Sequence, residues 1–336
     1  MQIKLLHLYY DILNLYGDYG NVVVLKKYLE DQGASVTIDK KTIRDDFDIS
    51  SYNFVFIGAG TERSLDRVVR DIVRYKDDFR KYIEDKKVLL ATGNSFEMFG
   101  KSIDGNDTLG IFDFETKRDS DRTTSDVIYT SKYFKREVVG FINKSTRIYH
   151  NMNPLFKVEF GIGENENNDY EGVKYKNFYG THLSGPLLAR NPYFAMDLVS
   201  EIMKEVKVNF KIKKIDYKNE YDGYELVLSE LNKRKNSSKN AWVFTHFCYG
   251  LFGWPYFFEF YLFSLLKLCL VLYFSLVASP PLKCRSALFS SKIFFASLAS
   301  DRFIFFSLSV ISLCTVDFDT PNFLAAPRTV SLLSII

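Results

Sequence analysis

The stretch VLLATGNSFEMFG, residues 88–100, has the pattern of a site that presents a nucleophile. Its first residues predict a short buried strand, Gly93 predicts a tight turn, and Glu97 falls in the first turn of a following helix. Several hydrolases hold a reactive side chain on such a strand, turn and helix. Gly93 stands at the tip, however, and the first cysteine of the chain is Cys248. Ser95 lies two residues beyond the tip, where an N-cap or first-turn residue is expected.

A second pair of residues that could do chemistry is His182 and Ser184, in the segment THLSGP. Side chains alternate along a strand, so these two would share a face. They would lie nearly 7 Å apart along a regular strand, which is too far for a good hydrogen bond without a bend. A relocated active site with His182 as its base is therefore one interpretation, and a pair of structural residues is the other. His150 is expected to pack or to cap.

The elements that must position these residues alternate between strands and helices up to residue 107. The apolar runs IKLLHLY, ASVTID, YNFVFIGAG and KVLLATG predict strands, and the amphipathic segments between them predict helices. We therefore expect an α/β three-layer sandwich with a mostly parallel central sheet, and antiparallel strands added over residues 108–180. Residues 163–172, GENENNDYEG, predict an exposed polar loop. Ligands of such sheets bind at the carboxyl ends of the strands, where Gly58, Gly60 and Gly93 fall.

Composition limits the class of protein. The net charge of +3 among 336 residues is too small to indicate nucleic-acid binding. Residues 1–242 contain no cysteine, so no disulfide framework is expected there. The first 21 residues lack the apolar core and small-residue cleavage site of a secretion signal. These features favour a cytoplasmic location for the main domain, and nothing in the sequence indicates a cofactor or a metal.

The last part of the chain differs sharply from the rest. Lys, Arg, Asp and Glu total 85 residues, of which only ten follow residue 242, whereas all four cysteines do. We predict a main domain at 1–205, a charged extension and linker at 206–242 and a hydrophobic tail at 243–336. The apolar run 256–279 is long enough to span a bilayer, although Glu259 and Lys267 interrupt it. A membrane hairpin and a segment from a non-native reading frame are the two interpretations of this tail.

Four motifs, in order along residues 1–205, carry a resemblance to a known family. They are LNLYGDYGNVVVLKKYLEDQG, FVFIGAGTERSLDRVVRD, LGIFDFETKRDSDRTTSD and YEGVKYKNFYGTHLSGPLLARNP. In this order and spacing they resemble the glutaminase subunit of lipid II isoglutaminyl synthase, a CobB/CobQ-like class I glutamine amidotransferase. The resemblance implies the class I amidotransferase fold. It also implies an elbow cysteine that attacks the amide of glutamine, activated by a histidine, with backbone amides holding the oxyanion.

The resemblance places both catalytic positions on residues that cannot perform these roles. The family elbow, Cys-Gly-Gly-Tyr-Gln, puts Gly93 on the cysteine and Glu97 on the glutamine. The family motif Thr-Tyr-Leu-His-Gly-Pro puts Ser184 on the histidine and His182 on the tyrosine. Arg122 falls on an arginine that the family uses near its substrate. Since Gly accepts strained backbone angles, Gly93 is expected to preserve the turn without the chemistry.

Three classes of function follow from this resemblance. The first is an active subunit that passes ammonia to a Mur-ligase-like (MurT-like) partner, which amidates lipid II in peptidoglycan synthesis. The second is a catalytically inactive regulatory or ligand-binding subunit, in which Arg122 and the amides of Gly58 to Gly60 hold glutamine or glutamate. The third is a membrane-associated scaffold. The substituted catalytic positions favour the second class.

Overall fold

The structure is a computed structural model that describes residues 1–167, 169–251, 290–299, 302–311 and 330–335. The first twelve strands form one sheet. They are β1 (Gln2–Leu8), β2 (Ser35–Lys41), β3 (Phe54–Ile57), β4 (Val88–Thr92), β5 (Ser102–Ile103), β6 (Asn106–Asp107), β7 (Glu115–Thr130), β8 (Val138–Tyr149), β9 (Pro154–Phe160), β10 (Tyr170–Tyr175), β11 (Phe178–Thr181) and β12 (Leu183–Ser184).

The helices occupy the segments between the strands. They are α1 (Tyr19–Asp31), α2 (Glu62–Ile72), α3 (Lys76–Glu84), α4 (Leu187–Arg190), α5 (Pro192–Val206) and α6 (Lys218–Leu251). Short 3₁₀ segments lie at Leu15–Gly17, Ile49–Ser51 and Val73–Tyr75, and a longer one spans Gly93–Phe99. Thr61 caps α2 by accepting a hydrogen bond from Ser64 N at 3.1 Å, as expected of a threonine before a helix.

The parallel half of the sheet has the order β2-β1-β3-β4-β11. Alternate residues of these strands enter opposite cores, because side chains of a strand point to opposite faces. Phe54 and Phe56 pack on the side of α1 and α5, while Val55 and Ile57 pack on the side of α2 and α3. Two cores on the two faces of one sheet confirm the predicted three-layer α/β sandwich.

The antiparallel half continues from β11 in the order β10-β9-β7-β8-β12. This confirms the antiparallel addition predicted over 108–180. The decisive pairing for the site is that of β11 with β4, in which Thr181 lies opposite Thr92. Since the two strands are parallel, the residues that follow each of them, beginning with His182 and Gly93, emerge at the same edge of the sheet.

The segment after α5 differs in two respects from what its sequence pattern indicates. Its first residues, VKVNFKI at 206–212, have an alternating apolar pattern but form no strand, because the chain turns at Asn209, whose φ is +63°, and leaves Val208 exposed. The residues KRKNSSKN, predicted as a linker, lie within α6. Leu228 and Leu231 of that helix are buried against the sheet. Because many charged residues surround Leu228 and Leu231 in the sequence, the burial of these two leucines could not be predicted from it.

The chain divides into two compact units, Met1–Phe247 and Cys248–Ile336. In the second unit, the strands β13 (Ser290–Ala299), β14 (Arg302–Ile311) and β15 (Val330–Ile335) form an antiparallel sheet in that order. The apolar run 256–279, predicted as a membrane span, lies outside the described residues. Among the helices that the structure describes, none has both the length and the apolar character to cross a bilayer. The predicted boundaries at 205 and 242 stay predictions.

Candidate functional site

The elbow predicted from sequence forms at the end of β4. A 3₁₀ segment follows the strand directly and begins at Gly93, the residue at the tip of the turn. Ser95 is completely buried, and its Oγ lies 2.8 Å from the carbonyl oxygen of Thr92 and 3.0 Å from that of Ile57. It is therefore a first-turn residue that ties the turn to β3, and its hydroxyl points to backbone acceptors, away from any substrate.

The tip of the elbow has neither a side chain nor room for one. Gly93 has a φ of +60°, a left-handed conformation that costs an ordinary residue roughly 1–2 kcal/mol. This confirms the strained angle predicted for it. A Cβ at this position would overlap the Cβ of Ala59 and would lie 3.8 Å from Ser184 Oγ. Ser184 therefore faces the tip, and Ala59 occupies the space into which a side chain at position 93 would project.

A pocket of about 220 Å³ opens beside this tip. Its walls include Gly60, Gly93, Arg122, His182 and Ser184, so tertiary structure brings five of the six predicted site residues together. The sixth, Gly58, is a close-approach position behind the pocket, where a Cβ would lie 2.5 Å from the carbonyl oxygen of Leu13.

Arg122 lies at the mouth of the pocket and is paired with an acid that the sequence analysis did not select. Its guanidinium contacts the carboxylate of Glu62 and donates to Asn143 Oδ1 at 2.9 Å. Burial alone would raise the pKa of Glu62, but its own backbone N–H and Arg122 outweigh burial and lower it. A carboxylate ligand at Arg122 would therefore compete with Glu62.

The backbone amides after β3 are already engaged. Gly60 N donates to Asn94 Oδ1 at 3.0 Å, and Asn94 Nδ2 donates back to the carbonyl oxygen of Gly60 at 2.8 Å. Ala59 N donates to Asp18 Oδ2 at 2.6 Å. A ligand anion would have to displace Asn94 to reach Gly60 N, so the predicted anion-binding role of Gly58 to Gly60 stays a prediction. Asp18 thereby ties the loop that follows β3.

Asp18 is itself an unusual carboxyl group. It is fully buried, and its Oδ1 has no hydrogen-bond partner among the described residues. Burial raises the pKa of Asp18 to about 7, although the hydrogen bond from Ala59 N acts in the opposite direction. The loop that fills the elbow is thus held by a carboxyl group that titrates near neutrality.

His182 is buried between two carboxylates and does not face the elbow tip. Its Nε2 lies 3.4 Å from Glu97 Oε1, and its Nδ1 lies 3.4 Å from Glu171 Oε1. Burial lowers the pKa of His182, but Glu171 and Glu97 outweigh burial and the net shift is upward. Ser184 Oγ is directed to the carbonyl oxygen of His182 at 3.3 Å and makes no contact with its ring. The structure therefore separates the serine from the imidazole that would have to activate it.

The polar segment 163–172 is only partly exposed, which corrects its prediction. Glu164 and Glu171 are 4% and 0% exposed, respectively. Glu164 Oε1 accepts from Gly172 N at 3.0 Å, and Glu171 Oε2 accepts from Thr181 Oγ1 at 2.7 Å. Glu171 is the second residue of β10 and lies opposite Phe156 of β9, and its side chain is buried. Because Glu171 lies in a run of polar residues, its burial could not be predicted from the sequence.

Comparison with known proteins agrees with this geometry. Residues 4–192 match the family of the CobB/CobQ-like glutamine amidotransferase domain. The lipid II isoglutaminyl synthase (glutamine-hydrolyzing) subunit GatD of Staphylococcus aureus (strain N315) is 29% identical over 241 residues, which are 70% of this chain and 99% of that protein. The subunit of the same name from Streptococcus pneumoniae (strain ATCC BAA-255 / R6) is 32% identical over 214 residues, covering 61% of this chain and 82% of that protein.

This chain belongs to the CobB/CobQ-like glutamine amidotransferase family. Its similarity to GatD proteins confirms the recognition made from the sequence motifs. Within this amidotransferase domain, sequence reasoning missed Ala59, Glu62, Asn94 and Glu171. Of these four residues, only Asn94 could have been selected from the sequence, because it lies next to Gly93 at the tip of the elbow. The other three come from distant segments, and only the strand order places them at the site.

Proposed function

We propose that this chain is a glutaminase-type subunit that has kept the fold, the pocket and the ligase-docking role but no longer hydrolyses glutamine. In this proposal it assembles with a Mur-ligase-like (MurT-like) partner in the amidation of lipid II. Its similarity to two GatD subunits supports the partner and the reaction.

The observation that carries the proposal is the filled space at the elbow. Glutamine hydrolysis in this family passes through a covalent thioester, which requires a thiolate at the tip. Gly93 supplies no side chain, and Ala59 occupies the volume into which one would project. Ser184 cannot protonate leaving ammonia as an imidazolium would, because a hydroxyl group is a far weaker acid.

Relocated catalysis by the neighbouring residues has less support. Ser95 is buried against two carbonyl oxygens. The nitrogens of His182 face Glu97 and Glu171 instead of the tip. A general base must lie within hydrogen-bonding reach of the proton that it removes, and no nucleophile among the described residues has such a place beside His182.

The retained pocket supports a ligand-binding role. Its volume of about 220 Å³ suits a small amino acid, and Arg122 offers a planar donor pair for a carboxylate. Glutamine or glutamate are the proposed ligands, with Glu62 as the group that the ligand carboxylate displaces from Arg122.

Reconstitution with a Mur-ligase-like subunit tests the proposal. We expect the two proteins to co-purify, and lipid II to be amidated with ammonium chloride but not with glutamine as the nitrogen source. Glutamate release, measured in the same samples, should match a sample without protein. Glutamine-dependent amidation would overturn the loss of catalysis, and failure to co-purify would overturn the docking role.

A further inference from the structure

We propose that Glu164, Glu171 and His182 form a binding site for one divalent transition-metal ion, with Zn²⁺ as the best-fitting probe. One ligand atom from each residue lies within 4.8 Å of the others, and all three residues are buried. The site shares His182 with the wall of the pocket at the elbow, and it does not depend on the proposed loss of glutamine hydrolysis.

The first argument is that the ring nitrogens of His182 lack well-directed hydrogen bonds. The residue is 1% exposed, and among the described residues Glu171 and Glu97 face these nitrogens at 3.4 Å without such a bond. A buried polar group without a well-aligned partner carries a free-energy cost. A cation between His182 and Glu171 would remove that cost, because a neutral imidazole nitrogen is a common metal ligand.

The second argument is the separation of the donors. His182 Nδ1 lies 3.4 Å from Glu171 Oε1. That distance is long for a charge-assisted hydrogen bond, which is typically about 2.7–2.9 Å. It is close to the separation of roughly 3.3 Å between two donors on a tetrahedral zinc ion with bonds of about 2.0 Å. The separation of these two atoms is therefore compatible with a shared ion, and the same distance of 3.4 Å separates His182 Nε2 from Glu97 Oε1.

The third argument is that the donors are already oriented by neighbours. Metal-bound histidines usually donate their other ring N–H to a carboxylate. With the ion on Nδ1, His182 Nε2 would donate to Glu97, which lies 3.4 Å away and is itself held by Thr146 Oγ1 at 2.7 Å. Glu171 also accepts from His182 N at 2.6 Å, which fixes its position in the absence of an ion.

Glu164 is oriented in the same way. His150 Nδ1 accepts from Met152 N at 3.1 Å, so the proton of a neutral His150 is on Nε2. That Nε2 lies 2.8 Å from Glu164 Oε2. Glu164 and His150 also line a cavity of about 890 Å³, which we take as the route by which an ion would reach the cluster.

The fourth argument is charge. Glu97, Glu164 and Glu171 bring three buried carboxylates to one cluster, and Lys144 is the lysine among them. Lys144 Nζ donates to the carbonyl oxygen of Glu164 at 2.7 Å, which holds it on the backbone. A divalent ion together with Lys144 would balance the three carboxylates, and buried charges are stable only when they are compensated.

The types of donor atom in the cluster predict which metal ion should bind. Imidazole favours zinc, copper, iron and nickel, whereas Mg²⁺ and Ca²⁺ favour oxygen ligands alone. One imidazole and two carboxylates make a zinc-type set, with a fourth position left for water. We therefore expect Zn²⁺ to bind and Mg²⁺ to leave the protein unchanged.

The test is zinc binding by the full chain, with Cys248, Cys269, Cys284 and Cys314 replaced by serine so that thiolates do not compete. We expect one zinc per chain by elemental analysis and a rise in unfolding temperature with Zn²⁺ but not with Mg²⁺. Glu171→Gln should weaken zinc binding at least tenfold, whereas Glu115→Gln, an exposed control on β7, should leave it unchanged.

A second variant, at a residue that is not a proposed zinc ligand, keeps the test valid if Glu171→Gln does not fold. Glu97→Gln keeps the shape of the side chain and should weaken zinc binding about 10- to 100-fold through the second nitrogen of His182. No zinc uptake by the parent chain would overturn the proposal. Zinc uptake that is equal in the parent, Glu171→Gln and Glu97→Gln would overturn it as well.

Discussion

The methyl group of Ala59 occupies the space into which a side chain on Gly93 would project. The two residues follow neighbouring parallel strands, β3 and β4, so the pairing of these strands brings them to the same edge of the sheet. An amidotransferase elbow cannot be restored at position 93 alone, because Ala59 must change as well.

The overlap between Ala59 and a side chain at position 93 predicts different rates of glutamine hydrolysis for a series of variants. The parent chain should show no glutaminase activity, since removal of such a catalytic unit typically costs on the order of 10⁴–10⁶ in rate. Gly93→Cys with Ser184→His restores the two groups but retains the clash. Adding Ala59→Gly should give measurable glutamate release, and more than the double variant gives.

Ala59→Gly alone serves as the control for effects on stability. It should unfold at nearly the temperature of the parent and should remain inactive. Glutamine turnover by the parent chain, abolished by His182→Ala, would contradict the prediction and would show that the active site had relocated.

Arg122 is predicted to be the carboxylate anchor of the pocket. Arg122→Ala should weaken glutamate binding at least fivefold in calorimetry, because hydrogen bonds to charged groups contribute about 1.5–3 kcal/mol. Arg147→Ala is the matched control, since this half-exposed arginine on β8 pairs with Asp119 outside the pocket. Equal weakening by both variants would indicate a general charge effect and exclude a specific site.

The buried Asp18 predicts a dependence of stability on pH. Its pKa is raised to about 7 in the folded chain from 3.8. Between these values the folded state holds a proton that the unfolded state has released, so this group makes the chain less stable as pH rises from about 4 to about 7. Asp18→Asn removes this dependence and still offers an oxygen to Ala59 N.

Denaturant unfolding at several pH values measures the effect. The free energy of unfolding of Asp18→Asn, relative to the parent, should rise by roughly 2–4 kcal/mol between pH 4 and pH 8. Asp18→Ala lacks the oxygen and should be less stable than Asp18→Asn at each pH. A difference between Asp18→Asn and the parent that does not change with pH would show that Asp18 is ionised throughout this range.

Helix α6 is predicted to be part of the first unit and not a linker. Leu228 is 7% exposed and packs near Ile128 and Val139 of the sheet, whereas Leu226 on the same helix is 72% exposed. Leu228→Ala should lower the free energy of unfolding by about 2–3 kcal/mol, and Leu226→Ala by no more than about 0.5 kcal/mol.

Truncation gives an independent measure of the same contact. A chain that ends at residue 210 loses α6 and Tyr217, which packs on Tyr28 with ring centroids 4.4 Å apart. A chain that ends at residue 237 keeps Tyr217 and residues 218–237 of α6, which include Leu228 and Leu231. The shorter chain should melt at a lower temperature, and equal melting of the two would place the domain boundary before α6.

Much of this protein was determined by its sequence alone. Apolar residues that recur every two positions predicted the strands, and those that recur about every 3.6 positions predicted the helices. The glycine at position 93 predicted the left-handed turn. Each of these preferences acts over a few neighbouring residues, so it can be read from a short stretch of sequence. The same local motifs led to the prediction that Gly93 and Ser184 stand where the family has its cysteine and histidine. Sequence therefore sufficed for the fold and for the family.

Which residues surround Gly93 and Ser184 could be learned only from the tertiary structure. Pairing of β11 with β4 brings His182 beside Glu97, 85 positions earlier, and pairing of β3 with β4 brings Ala59 against Gly93. The burial of Glu171 was likewise invisible in a run of polar residues. Such contacts depend on strand order and register, which join segments far apart in the chain, and no local preference of either segment specifies its partner.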